Sequence, residues 1–293
     1  MFIIAQGCFR LNKLHLEWCC GISDGGLAAV LRGCSELTDL SLEFCGKVTG
    51  EAFSGLACKI EKLDLVACDA VKNEGLLAAA TACSRLKELR VTSNQKGASL
   101  TKGVEGAAKF CKGLEALCIH ACGLKDETLR SFATSCPLLS SASLSCEPAV
   151  TDGGLAAFLA GLPKLESLSL QHMDGLSGVP RVGASKRLKK LRLGYWWNAP
   201  DLFLRGLSEE TTLEELRLEC CPHLTDATVD SIFAGCRSLK LLVLLDNKLI
   251  TAESIRAYLR HGKKSTLQIL ECPGATKENV PDDLRTVLQD VFP

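Results

Sequence analysis

Residues 37 to 45 read LTDLSLEFC, and the same phrase returns as LNKLHLEWC at 11 to 19, IEKLDLVAC at 60 to 68 and LEELRLECC at 213 to 221. Its opening residues are Leu11, Leu37, Ile60, Leu86, Leu114, Leu139, Leu165, Leu188, Leu213, Leu239 and Leu267, spaced 23 to 28 residues apart. A period held from end to end describes a stack of small, alike units rather than a globule around one centre.

Inside the phrase the apolar residues alternate, which is the pattern of a short strand with one buried face. A turn follows, then a stretch such as SDGGLAAVLRGC at 23 to 34, where Leu27, Val30, Leu31 and Cys34 recur at helical spacing. Helix starts are marked by Ser23-Asp24, Thr49 with Glu51, Thr151-Asp152, Thr225-Asp226 and Thr251 with Glu253. The hydroxyl is expected to cap an orphan N–H of its own helix, and the carboxylate to favour the positive end of the dipole. A lone unit of this size has two open sides, so neighbours have to cover them with strand pairing and shared leucine layers.

The expected fold is an α/β solenoid of about 10 to 11 repeats. It is a right-handed horseshoe with a parallel sheet on the concave face and helices on the convex face, because helices are wider than strands. The solenoid spans 1–272 and starts inside a repeat, since Phe2-Ile3-Ile4 followed by Gly7-Cys8 copies the tail of a repeat helix. Residues 273–293 read as a capping helix, with Val280, Leu284, Val287, Leu288 and Val291 on one face.

Most of the 17 cysteines occupy two places in the repeat. One follows the strand (Cys19, Cys45, Cys68, Cys122, Cys221), where two other units carry Asn94 and Asn247. The second closes the helix (Cys8, Cys34, Cys58, Cys83, Cys111, Cys136, Cys236). Asn at the first place would bond the buried backbone of the turn, and a small thiol with a weak donor stands in for it while staying apolar. The pairs Cys19-Cys20 and Cys220-Cys221 and the Cys118 to Cys122 spacing lack the paired Cys-x-x-Cys of a structural zinc site, so no metal is expected. No secretory leader is legible at the N-terminus, and reduced thiols in the cytoplasm or nucleus are the expectation.

Charge is balanced, 34 basic against 34 acidic residues, without a polybasic run. Neither nucleic acid nor an anionic membrane is an expected partner. No apolar stretch approaches the ~20 residues needed to cross a bilayer.

The concave strand positions are the expected partner-binding surface. Trp18 and Phe44 edge an acidic strip in the first three units, where His15, Glu17, Asp39, Glu43 and Asp64 fall. His120, Ser143, Ser145, Ser169, Gln171 and His172 form a small, neutral floor in units five to seven, and Lys190, Arg192, Tyr195, Trp197, Arg217 and Glu219 follow. Aromatics and arginine beside a shallow polar floor are what protein-recognition surfaces use for anchoring. Trp196 falls at the place of Cys or Asn and is expected inside, which leaves Trp197 as the surface anchor. Cys118 and His120 put a thiol and a base on one strand, yet an open sheet lacks an oxyanion pocket, and no P-loop, dinucleotide turn or zinc-protease helix is present. No catalytic residue and no cofactor are expected.

The run CSELTDLSLEFCGKVTGE at 34 to 51, and LEELRLECCPHLTD at 213 to 226, resembles the cysteine-containing subtype of leucine-rich repeat. That subtype is typical of F-box proteins with leucine-rich repeats and of the related antagonists of mitotic exit, and the resemblance covers nearly the whole chain. It implies substrate recognition for an SCF-type cullin ubiquitin ligase leading to proteasomal degradation, with the repeats holding a protein substrate. Ten residues precede the first phrase and cannot hold an F-box, so a Skp-type adaptor is expected only if an F-box lies upstream. The alternative is a free-standing repeat scaffold or inhibitor with no ubiquitin link.

Overall fold

The computed structural model describes residues 1–94, 99–177, 187–197, 201, 212–251, 253–261 and 268–270. Eleven strands stand in chain order in one sheet: β1 (Lys13–Glu17), β2 (Asp39–Glu43), β3 (Lys62–Val66), β4 (Glu88–Thr92), β5 (Ala116–His120), β6 (Ser141–Ser145), β7 (Ser167–Gln171), β8 (Lys190–Gly194), β9 (Glu215–Glu219), β10 (Leu241–Leu245) and β11 (Gln268–Leu270). Every neighbouring pair is parallel and in constant register. That register aligns Leu14, Leu40, Leu63, Leu89 and Leu117 in one row and Leu16, Leu42, Leu65, Val91 and Ile119 in a second. These rows face the helices and form the spine of the core, and among them only Leu16, in the first strand, is partly uncovered.

The helices are α1 (Phe2–Gly7), α2 (Asp24–Gly33), α3 (Asn73–Ala82), α4 (Thr101–Phe110), α5 (Asp126–Ser135), α6 (Asp152–Gly161), α7 (Asp226–Gly235) and α8 (Glu253–Arg260). Helices α3 and α4, and α5 and α6, pack side by side on the convex side. Among the described residues, no helix is long and apolar enough to cross a membrane. The second unit departs from strand, turn, helix. Its phrase is only 23 residues from the next, and a single 3-10 turn, Glu51–Phe53, replaces the helix and buries Phe53 in its stead.

Of the thiols that close the helices, Cys34, Cys83, Cys111, Cys136 and Cys236 are buried, Cys58 is half-buried and Cys8 is exposed. Buried ones donate across to the preceding unit: Cys111 Sγ to Ala80 O at 3.4 Å and Cys136 Sγ to Ala108 O at 3.8 Å. The expected hydroxyl caps are present at three of the five sites: Thr49 Oγ1 accepts from Glu51 N at 3.3 Å, Thr151 Oγ1 from Gly154 N at 3.5 Å and Thr251 Oγ1 from Glu253 N at 3.2 Å. Ser23 and Thr225 are corrected, since neither side chain caps its helix. The threonine hydroxyls also donate to a carboxylate one unit back. Asp24 accepts from Thr49 N and Oγ1, both at 2.9 Å, and from Gly50 N and Ala52 N at 3.0 Å. Asp126 holds Thr151 in the same way at 2.8 and 2.7 Å, and Asp226 holds Thr251 at 2.9 and 2.7 Å. Each aspartate satisfies orphan donors of the following helix, so the cap is a clamp between units. The expected helix at 273–293 lies outside the described residues.

Candidate protein-binding face

After nine of the strands, β4 being the exception among β1 to β10, the next residue takes a left-handed backbone. Trp18, Phe44, Ala67, Ala121, Cys146, His172, Tyr195, Cys220 and Asp246 all have φ between 49° and 57°. Such a conformation costs a non-glycine residue about 1–2 kcal/mol. Here it is held because, for the eight from Trp18 to Cys220, the N–H bonds the last carbonyl of the next strand, as in Trp18 N to Glu43 O at 2.9 Å and Tyr195 N to Glu219 O at 2.9 Å. The turn sends the following residue inward, and Cys45, Cys68, Cys122, Cys221 and Asn247 are buried there, with Cys19 half-buried in the first unit. Asn94 is a correction: it is exposed, because Ser93 before it does not take the left-handed turn.

At that buried place one bonding pattern serves several residue types. Cys45 Sγ donates to Leu16 O at 3.6 Å and Cys68 Sγ to Leu42 O at 3.3 Å, each reaching the preceding strand. Asn247 does the same with Nδ2 to Leu218 O at 2.7 Å and also accepts from Cys221 N at 2.9 Å. Glu147, which the sequence reading passed over, sits at this place in the sixth unit, fully buried, and accepts from Cys122 N at 2.7 Å and Leu124 N at 2.6 Å. Burial pushes its carboxyl above the ordinary value, against the pull of those backbone N–H groups. Burial likewise raises the thiols of Cys68 and Cys136 to about 11, and those of Cys111 and Cys221 to about 12, which makes them poor nucleophiles at neutral pH. Trp196 fills the place in the eighth unit at 4% exposure, whereas Trp197 beside it is 55% exposed.

The left-handed residues form a rim along the C-terminal ends of the strands. Neighbouring strands lie about 4.8 Å apart, which brings adjacent rim side chains into stacking range. Trp18 lies flat on Phe44 with centroids 4.0 Å apart and planes within 3°, and His172 lies on Tyr195 at 4.3 Å and 13°. These four residues therefore stand one position beyond the strand face on which the sequence reading placed them.

The strand face itself holds a hollow of about 420 Å³ over the middle of the sheet. It brings together His120, Ser143, Ser145, Gln171, His172 and Tyr195, with Arg90, Thr92 and Cys118 on one side and Glu43 at its margin. Ser169, Lys190, Arg192, Arg217, Glu219 and Trp197 do not line it, and neither do Trp18 and Phe44. Two expected contact residues are nearly covered: Ser145 is 8% and Glu219 5% exposed. Glu219 is covered because its carboxylate takes Arg192 Nη2 at 2.6 Å. The Gln171 carboxamide, with its oxygen toward Arg192, accepts from Nε at 3.0 Å and Nη2 at 3.2 Å. Lys190 and Arg217 share Glu215, at 3.2 and 2.8 Å, so the basic end of the face is neutralised from within. Burial, and then the neighbouring His172, pushes the His120 imidazole below its ordinary value. It is neutral at pH 7 and offers one donor and one acceptor. At the opposite end, β1 to β3 present Glu17, Asp39, Glu43 and Asp64. Among the described residues, no group of three or more His, Cys, Asp or Glu is placed to hold a metal ion.

No protein-family model matches the chain. Over 169 residues, half of its length, it is 34% identical to the F-box/LRR-repeat MAX2 homolog of Oryza sativa subsp. japonica. The match spans 23% of that protein. The fold is that of a chain in the crystal structure of the Rad7 and Elc1 complex in yeast, with a TM-score of 0.67 at 17% identity, covering 96% of this chain and 83% of that one. The chain has the leucine-rich-repeat solenoid fold and is similar over half of its length to an F-box/LRR-repeat protein.

Proposed function

We propose that the chain is a non-catalytic binding module that holds a protein partner on its concave face, as the substrate-recognition repeats of an SCF-type cullin ubiquitin ligase receptor. The observation that carries the binding role is the hollow over the middle of the sheet, floored by small hydroxyls and imidazoles. Rim aromatics stand beside it, and Trp197 is exposed in the eighth unit. A partner backbone can approach such a floor closely while bulky side chains at the edges anchor it. Similarity to an F-box/LRR-repeat protein supports the ubiquitin-ligase setting. In that setting an F-box outside the repeats engages the Skp-type adaptor and the repeats select the protein to be degraded. The open hollow that Cys118 and His120 line suits a binding role better than catalysis.

Affinity purification of the natural full-length protein from its own cells, with the proteasome inhibited, tests this reading. A cullin, a Skp-type adaptor and an accumulating partner are expected, with the partner alone lost in Lys190→Glu and Trp197→Ala variants that keep the wild-type melting temperature. Partner retention in both variants removes the concave face from the account, and a partner without cullin or adaptor favours the scaffold alternative.

A further inference from the structure

The first three strands carry more negative charge on the concave face than the structure answers. Asp39 is partnered by His15 Nε2 at 3.3 Å and Lys13 Nζ at 3.8 Å. Asp64, on β3, is only 7% exposed, yet among the described residues no hydrogen bond or ion pair reaches its carboxylate. Its register neighbours are Ser41 and Arg90, and the nearby Lys62 directs its ammonium to Glu88 at 3.6 Å. Burial pushes the Asp64 carboxyl above its ordinary value. Arg90 and Lys62 pull against this, while Asp39 and Glu43 add to it. A carboxylate whose folded value is raised costs stability as the pH climbs past its unfolded value, and costs it in full above the folded one. Covered and unbonded, Asp64 is thus a liability to the fold taken alone.

Arg90 and Lys62 act on Asp64 only from a distance, and neither is bonded to its carboxylate. The side-chain carboxylates of Glu43 and Glu17, at the ends of β2 and β1, also take no hydrogen bond or ion pair among the described residues. Each is followed directly by a rim aromatic, Phe44 and Trp18, and these rings stack with Trp18 64% exposed. Carboxylates on the floor with a flat π-surface at the edge suit a guanidinium, which bonds the former through its N–H fork and rests its plane on the latter.

We propose that the β1 to β3 end of the concave face binds an arginine-bearing segment of a partner protein, with a guanidinium over Asp64 and Glu43 and a second side chain across Trp18 and Phe44. Arg90 on β4 bounds the site by repelling cations from the hollow beyond. The inference rests on the concave face being the partner-binding surface, and adds the chemistry of what it takes.

Fluorescence anisotropy with the intact chain tests it, using a fluorescein-labelled arginine-rich peptide and an otherwise identical glutamate-rich one. The arginine peptide is expected to bind and the glutamate peptide not. The Glu43→Gln/Asp64→Asn double variant is expected to weaken binding about tenfold, about 1.4 kcal/mol. Trp18→Ala is expected to weaken it severalfold, and Glu74→Gln on the convex side leaves it unchanged. A purely structural Asp64 predicts a lower melting temperature for Asp64→Asn, whereas the present reading predicts an equal or higher one. Equal affinity of the double variant and wild type overturns the proposal. A random peptide library panned on the chain separates the two readings. Enrichment of arginine with loss of binding in the double variant supports the site. Binders without arginine that depend on Trp197 overturn the site and leave the concave surface standing. Binders that ignore every concave substitution overturn both.

Discussion

At the scale of single residues, the clamp made by Asp24 shows how one unit fixes the next. Burial would raise its carboxyl, but the Thr49, Gly50 and Ala52 bonds outweigh burial and hold it below the ordinary value of 3.8. A lowered folded value means that the stabilisation is full above the unfolded value and is lost as pH falls through the folded one. Asp24→Ala is therefore expected to cost about 3 kcal/mol at neutral pH, since three backbone donors lose a charged acceptor. Urea titrations at successive pH values should show that deficit steady at neutrality and closing below pH 3.8. These clamps were half legible. Thr151-Asp152 stands out as a pair, but Thr151 bonds Asp126 behind it and Asp152 bonds Ser177 ahead of it. Sequence adjacency hides a chain of contacts that runs across units. The equivalence of Cys and Asn was readable for Asn247, which donates inward as the thiols do, but not for Asn94, which is exposed; Glu147 was not readable, since a carboxylate at a buried place carries no periodic signal.

At the scale of elements, the packing of short helices on the 3-10 turn of the second unit depends on bare backbone. A Cβ on Gly75 of α3 would lie 1.9 Å from Thr49 O, and one on Gly50, at φ 92°, 2.7 Å from the Gly75 backbone. Gly75→Ala is expected to destabilise the chain by about 3 kcal/mol through overpacking. An equilibrium unfolding curve checks this, and a loss under 1 kcal/mol would mean that the two units are not in contact as described. The missing helix was not legible, since Thr49 with Glu51 carries the same start signal as units that do form a helix. The left-handed rim is not foreshadowed at all. Trp, Phe, Ala, Cys, His, Tyr and Asp share no backbone preference; the conformation is imposed by strand pairing on one side and the buried residue on the other. Trp18, Phe44, His172 and Tyr195 were therefore recognised as surface candidates from their chemistry, while their stacking in pairs came only with the structure.

At the scale of the whole molecule, parallel pairing in chain order turns a linear period into a surface on which residues 25 apart in sequence become neighbours. That is why the order and register of the sheet could be read from the leucine phrase, and why the shape and charge of the face could not: they depend on which side chains pair off, as Arg192 does with Glu219. The measurement that bears most directly on the binding role is site-specific photo-crosslinking in cells. Benzoylphenylalanine would replace His172 on the concave rim in one variant and Glu127 on α5 of the convex side in another. A discrete protein adduct from the His172 position and none from Glu127 is the predicted result. Adducts from the convex position with none from the concave one would contradict the account.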